Sequence, residues 1–174
     1  MITTILKNTG RSSRLILRQF EERDLDDYAD MLADPELVKF IGDGKPKNKE
    51  EAWRSMAMVL GHWHLKGFGL WAVEHPETGK LIGRVGLFSP HGWPGIEVGW
   101  MLKKSEWGKG YAIECANYSV IYAFKELGLD QVVSLIHPDN TSSIKLAKRL
   151  GMNCQGEFDL AMAKTRPLLF LLSK

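Results

Sequence analysis

Apolar and polar positions alternate along residues 14–20, so the first clear element is a strand with Leu15, Leu17 and partly Gln19 on one face. The period then lengthens. Asp24 stands where a helix N-cap belongs, Asp26 and Asp27 fall in the first turn, and Leu25, Tyr28 and Leu32 form a helical stripe that must end before Pro35. Residues 42–49 are rich in turn formers and lysine. Asn48 can cap a second helix with Glu50 and Glu51 in its first turn, an apolar stripe of Trp53, Met56, Ala57, Leu60 and Trp63, and Gly67 as its stop.

The next segments are short and β-rich. Residues 69–74 and 80–89 flank the turn His75-Pro76-Glu77-Thr78-Gly79, which predicts an antiparallel hairpin. A second turn, 90–95, leads to a strand at 96–102. The longest helix is predicted at 111–127, with Ile113, Ala116, Val120, Ala123, Phe124 and Leu127 inward. A short apolar strand at 131–136 follows. Asn140 then caps a helix reaching about Arg149, with Ile144, Ala147 and Leu150 inward, and strands at 153–160 and 168–173 close the chain. The strand–helix–strand unit over 96–136 is a crossover, which makes its two strands parallel, whereas tight turns make the other pairs antiparallel. The predicted fold class is α/β (α+β): a mixed, mostly antiparallel central sheet with one parallel pair and helices on both faces. Residues 1–13 read as a flexible N-terminal segment, and 14–174 as a single domain.

The richest chemistry lies where residues 96–102 run into Trp107-Gly108-Lys109-Gly110-Tyr111-Ala112. Glycines let backbone approach a ligand closely, and a helix start offers unpaired N–H groups and a positive dipole end. That combination suits an anion, most often phosphate. The spacing excludes a Walker loop and does not match the dinucleotide fingerprint G-x-G-x-x-G.

Composition narrows the setting. The 174 residues are 44% hydrophobic and 25% charged with a net charge of +2, an ordinary globular balance that gives no electrostatic case for nucleic acid. Cys115 and Cys154 make no disulfide framework, so a reducing, cytoplasmic setting is expected. The N-terminus lacks the apolar run of a signal peptide, and the apolar stretch 168–172 is too short to span a membrane. The five histidines show no ligand spacing, and no metal is expected.

Three motifs together carry a resemblance. Residues 107–112 resemble the Q/R-x-x-G-x-G/A pyrophosphate loop of the GNAT superfamily of acyl-CoA-dependent N-acyltransferases. Glu97-Val98-Gly99-Trp100 resembles that family's E-hydrophobic-G-aromatic strand. Asn140-Thr141-Ser142-Ser143, with Leu150-Gly151-Met152, resembles its N-x-x-S/A helix and closing turn. The nearest branch is the one containing the ribosomal-protein serine and alanine N-acetyltransferases, and the likeness covers roughly residues 14–173. Two departures stand out. Trp107 replaces the usual Gln or Arg, and Ala147 occupies the position where many members carry a tyrosine, the usual acid toward the CoA thiolate.

The resemblance implies a GNAT fold whose parallel pair splays, and direct acetyl transfer from acetyl-CoA to a primary amine. It assigns the pyrophosphate to Trp107, Gly108, Lys109, Gly110, Tyr111 and Ala112, and the pantetheine arm to Trp100, Met101, Leu102 and Asn140. A backbone N–H near Met101 would polarise the thioester carbonyl. Glu97 is the general-base candidate and Ser143 the substitute proton donor; Tyr111, Tyr118 and His137 are weaker alternatives. His91 and Trp93 border the expected acceptor side. The acceptor is either a protein or peptide N-terminus or a small-molecule amine, set by loops 42–49 and 159–167. Their Lys45, Lys47, Lys49, Lys164 and Arg166 disfavour polycations and suit an uncharged-to-acidic partner. A monomer or homodimer without nucleic-acid or membrane partners is expected. The alternative function is a non-catalytic acyl-CoA-binding or sensor protein of the same fold.

Overall fold

The alternation that marks the first strand reappears in a sheet of eight strands among the described residues. The computed structural model describes residues 4–8, 12–160 and 164–174. In chain order the strands are β1 (Thr4–Asn8), β2 (Ser12–Arg18), β3 (Leu70–Glu74), β4 (Leu81–Phe88), β5 (Glu97–Leu102), β6 (Gln131–Ile136), β7 (Asn153–Glu157) and β8 (Leu168–Ser173). Their spatial order is β1-β2-β3-β4-β5-β6-β8-β7. Every neighbouring pair is antiparallel except β5–β6. β1 is an edge strand paired with β2, where the sequence reading expected a loose segment. Residues 1–3 and 9–11 of that segment lie outside the described residues.

The helices are α1 (Leu25–Ala33), α2 (Pro35–Val38), α3 (Lys49–Lys66), α4 (Tyr111–Lys125) and α5 (Thr141–Arg149). They cover both faces of the sheet. Trp71 of β3 packs on Tyr118 and Tyr122 of α4, while Arg84 of β4 reaches the Tyr28 ring of α1. Trp71 pairs with Val85, the neighbour of Arg84, and successive strand residues point to opposite faces, so α1 and α4 lie on opposite sides. The core fills both interfaces with Leu15, Leu17, Tyr28, Val59, Trp71, Val85, Val98, Val132 and Phe170.

Helix boundaries follow local chemistry, whereas the buried faces depend on packing. Asn48 and Glu51 form a reciprocal capping box at the start of α3, and Gly67 ends it in the left-handed region at φ 76°. The buried side of α3 is Ala52, Met56, Val59, His62 and Trp63, so Met56 and Trp63 of the expected stripe are buried, whereas its Trp53, Ala57 and Leu60 are exposed, Trp53 by 49%. Apolar residues surround this helix, so periodicity alone does not choose the face that meets α1. α4 buries the small residues Cys115, Ala116, Ser119 and Ala123, which bring it close to β4 and β5.

Asp24 takes a different role from the expected cap. Its side chain makes no cap bond to α1. Instead it accepts from Arg18 at 2.6 and 2.7 Å, and Arg18 Nε donates to Glu74 at 2.7 Å. Burial alone would lower the Arg18 pKa, but the hydrogen bonds and charges of Asp24 and Glu74 hold it above its ordinary value. The network ties β2 and β3 to the start of α1. Asp24→Ala strips Arg18, 5% exposed, of two of these bonds. A loss of about 3–5 kcal/mol of stability is expected, the typical cost of breaking a buried pair. Urea unfolding checks it, and a loss below about 1 kcal/mol would place the network among weak surface pairs.

Candidate active site

β5 and β6 begin as neighbours and then part. Their ladder holds one registered pair, Glu97 with Val133, where Val133 N–H donates to Ile96 C=O at 2.9 Å. Beyond it, side chains stand in for backbone partners. Ser134 Oγ donates to Val98 C=O at 2.7 Å, and Leu135 N–H donates to Glu97 Oε1 at 3.3 Å. A strand's backbone groups alternate in direction, so the N–H and C=O groups of Trp100 and Leu102 point into the opening. Met101 pairs with Arg84 of β4, and Lys103 N–H donates to Ile82 C=O on the same side. The N–H of Met101 therefore faces β4, and the donors aimed at the opening are its neighbours.

Glu97 sits partly buried at the mouth of this opening. Its other oxygen, Oε2, accepts from Trp93 Nε1 at 2.6 Å. Burial pushes the carboxyl up to about 7, against the Trp93 and Leu135 hydrogen bonds and the Arg84 charge, which lower it. Trp93 is held by the edge-on ring of Phe88, with centroids 5.9 Å apart. His62 supports the turn that carries Trp93: its Nε2 accepts from Ser89 N–H at 3.0 Å, and its Nδ1 lies 2.9 Å from Phe68 C=O. That pairing fixes a neutral ring with the proton on Nδ1, and burial lowers its pKa further. His91 lies exposed in the same turn.

After β5 the chain makes a short 3₁₀ turn at Lys104–Glu106 and then a glycine turn into α4. Gly108 at φ 77° and Gly110 at φ 81° use the left-handed region, and no atom lies within 4 Å of a Cβ built on either. Among the described residues, no group accepts from the N–H groups of Gly108, Lys109, Gly110, Tyr111 or Ala112; the first N–H bonded back along the chain is that of Glu114, to Gly110 C=O. The turn is braced from outside. Trp107 Nε1 donates to Leu102 C=O at 2.8 Å, tying the turn to the end of β5. Arg14 Nη2 donates to Lys109 C=O at 2.7 Å, Nη1 pairs with Glu114 at 2.8 Å, and the guanidinium lies 4.6 Å from the Tyr111 ring centroid. Lys109 pairs with Glu106 at 3.0 Å. Free N–H groups at a helix start, beside open space, form an anion cradle that fits a phosphate.

The start of α5 faces the opening. Asn140 Oδ1 accepts from Ser143 N–H at 3.1 Å and from Ser142 Oγ at 2.9 Å. Ser143 Oγ accepts from Trp100 Nε1 at 3.2 Å, which leaves its own O–H proton able to donate. One turn on, Ala147 is fully buried, so no acid side chain projects there. His137 Nδ1 accepts from Asp139 N–H at 3.2 Å, and its ring lies 4.9 Å from that of Phe40, in the segment after α2. Tyr118 packs against Trp71 and Tyr122.

Glu97, Trp100, Leu102, Asn140 and Ser143 thus converge on the opening between β5 and β6, and residues 107–112 form the cradle where β5 gives way to α4. Sequence reasoning missed Arg14, Arg84 and the His62 support. A charged residue inside the apolar strand Leu-Ile-Gly-Arg-Val-Gly-Leu-Phe was the available signal for Arg84. In the loop expected to line the acceptor side, residues 161–163 lie outside the described residues. No described helix is long and apolar enough to cross a membrane.

Residues 14–153 match the acetyltransferase (GNAT) domain. The uncharacterized N-acetyltransferase p20 of Bacillus licheniformis is 30% identical over 147 residues, 83% of this chain and 82% of that protein. An acetyltransferase structure from Agrobacterium tumefaciens superposes with a TM-score of 0.82 at 29% identity, covering 94% of this chain and 93% of the other. A structure titled as a putative ribosomal-protein-serine acetyltransferase from Vibrio cholerae shares the fold at a TM-score of 0.76 and 18% identity, over 98% of each chain. By its domain match and its relatives, the chain belongs to the GNAT family and is an acetyl-CoA-dependent acetyltransferase.

Proposed function

We propose that this chain moves an acetyl group directly from acetyl-CoA to a primary amine, with Glu97 as the general base. The observation that carries the reading is the position of Glu97: a carboxylate at the mouth of the parted strands, hydrogen-bonded on both oxygens and pushed up to about 7 by burial. A base of that pKa is ionised in useful amounts near neutrality while still holding a proton well.

The cosubstrate supplies the activated thioester; the chain supplies position and proton handling. N–H groups of Gly108, Lys109, Gly110, Tyr111 and Ala112 hold the pyrophosphate, with Trp107 and Arg14 keeping the turn in shape. Backbone groups of Trp100 and Leu102 hold the pantetheine arm, Met101 keeps β5 in register with β4, and one of the two free N–H groups polarises the thioester carbonyl. Asn140 fixes the start of α5 and presents Ser143, whose hydroxyl donates toward the departing sulfur. A thiolate leaves readily, so a weak donor is enough where Ala147 removes the family's tyrosine. The acceptor is a peptide N-terminus or a small-molecule amine.

The deciding experiment is release of free thiol from acetyl-CoA by the purified chain with a panel of primary amines. Amine-dependent thiol, matched by N-acetylated product, is expected. Tight acetyl-CoA binding with no amine accelerating release would favour the sensor function instead. Trp93→Phe provides a sharper probe of Glu97. Removing the indole N–H removes a bond that lowers the carboxyl pKa, so the acidic limb of kcat/KM should move to higher pH. A limb that stays in place would separate Glu97 from the titration.

A further inference from the structure

The side of the sheet covered by α1 carries a cation with no direct ion pair among the described residues, although its charge reaches Glu97. Arg84 is partly buried in β4, yet among the described residues it donates no hydrogen bond and makes no ion pair; its one described contact is the Tyr28 ring, 5.9 Å away. Arg14, Arg18, Arg23 and Arg54 each meet a carboxylate. Arg84 lines a cleft of about 470 Å³ with Leu32, Ile41, Lys45 and Ser55. That volume lies within the range of small-molecule sites. Of the four loop lysines expected to define this side, two are neutralised locally, Lys47 by Asp43 and Lys49 by Asp26. Lys45 has no such carboxylate among the described residues. Asp43, Lys47, Glu51 and Arg54 also line the cleft, with Lys47 paired to Asp43 and Arg54 to Glu50, so the lining cations without an ion pair among the described residues are Arg84 and Lys45.

Register connects this cleft to the catalytic candidate. Phe88 pairs with Glu97, Gly86 with Gly99 and Arg84 with Met101, so Glu97 and Arg84 share one face, separated by a rung of two glycines. A Cβ at Gly99 would touch only the Leu70 side chain, at 3.7 Å, whereas one at Gly86 would run into the Gly69 C=O, so the free part of the floor between the two charged groups lies at Gly99. From Glu97 to Met101 the strand rises about 13 Å, and two long side chains leaning inward shorten the gap to the scale of an amino acid or dipeptide.

We infer that the acceptor amine also carries a carboxylate, as a free amino acid or short peptide does, with the carboxylate on Arg84 and the amine at Glu97. This rests on the acetyl-transfer reading above and narrows it. A guanidinium presents a planar fork that a carboxylate fills with two charge-assisted bonds. A polyamine would set a second ammonium against Arg84, and a protein N-terminus would leave the fork empty.

The test compares the free amino acids and dipeptides with their carboxamides and with spermidine, in the same thiol-release assay. Carboxylate acceptors should exceed their amides in kcat/KM by at least about tenfold. Arg84→Met should raise KM for them at least about tenfold, remove the preference over amides and, at a pH above the acid limb of Glu97, leave kcat within about threefold. Arg84→Lys should restore part of it. Calorimetry should show acetyl-CoA affinity unchanged in both variants. Equal use of amides, better use of spermidine, or an unchanged KM in Arg84→Met would overturn the inference while leaving acetyl transfer standing. If no acceptor accelerates thiol release, the acetyl-transfer reading fails and this one with it. Should Arg84→Met not fold, the acid–amide comparison on the wild-type chain and Arg84→Lys decides alone.

Discussion

Gly110→Asp is expected to raise the dissociation constant for acetyl-CoA at least about 100-fold, a loss of about 3 kcal/mol of binding, while the fold survives. Gly110 sits at φ 81°, where an L-residue is strained by about 1–2 kcal/mol, although aspartate visits that region more easily than most. No atom lies within 4 Å of the added Cβ, so there is no clash to disrupt the core. The new carboxylate stands at the N-cap of α4, beside N–H groups that have no acceptor. It would take those groups itself, which offsets part of the strain. Those are the same groups proposed to hold the pyrophosphate, so the variant fills its own anion site and repels the ligand. Calorimetry reads the affinity and thermal unfolding reads the fold. Affinity within about threefold of wild type would mean that the phosphates lie elsewhere.

The contrast between the first and second halves of the chain explains what was legible. β6 and the start of α5 follow from the sequence to the residue, because a short apolar run is bounded by turn formers and Asn140 is a strong local cap. The hairpin of β3 and β4 and the crossover into β6 follow from turn length, and together they fix the single parallel pair. The buried face of α3 does not follow. Trp53 and Val59 are equally apolar, and only the position of α1 decides that Val59 is covered and Trp53 exposed. Asp24 fails for a related reason. Its cap-like position is local information, whereas its partner Arg18 is brought to it by the path between β2 and α1.

The site divides the same way. Its glycines and its strand motif are contiguous in sequence, and the structure brings them to one opening. The parting of β5 and β6 is not encoded in either strand's alternation; it depends on Ser134 and Glu97 taking over backbone bonds across the pair. The same holds for the free N–H groups. The family pattern points to Met101, but strand direction turns its N–H toward β4 and leaves the N–H groups of Trp100 and Leu102 aimed into the gap. Arg84 was visible as an oddity, a charge inside an apolar strand. Its meaning requires knowing that it shares a face with Glu97 across two glycines.

Glu97→Gln should lower kcat about 100- to 10,000-fold, the usual contribution of a positioned base, with little change in acetyl-CoA affinity. The acid limb supplies the second readout. Glu97 must be ionised to take the amine proton, so wild-type kcat/KM falls as pH drops below about 7, and in the variant that limb disappears. Stability moves in the opposite direction. The folded carboxyl titrates at about 7 and the unfolded one at the ordinary 4.5, so the folded state binds the proton more tightly. Wild-type stability is then greatest below the unfolded value and declines as pH rises from about 4.5 to 7, by about 3 kcal/mol in all. Glutamine never ionises and does not show that decline. Relative to wild type, the variant should gain stability between acid and pH 8 while losing activity, a pairing that a misfolded enzyme could not give. Thermal unfolding across pH and steady-state rates with an identified acceptor measure both. A pH profile that is unchanged, with activity within about threefold of wild type, would remove Glu97 from the mechanism and leave deprotonation to His137 or to water.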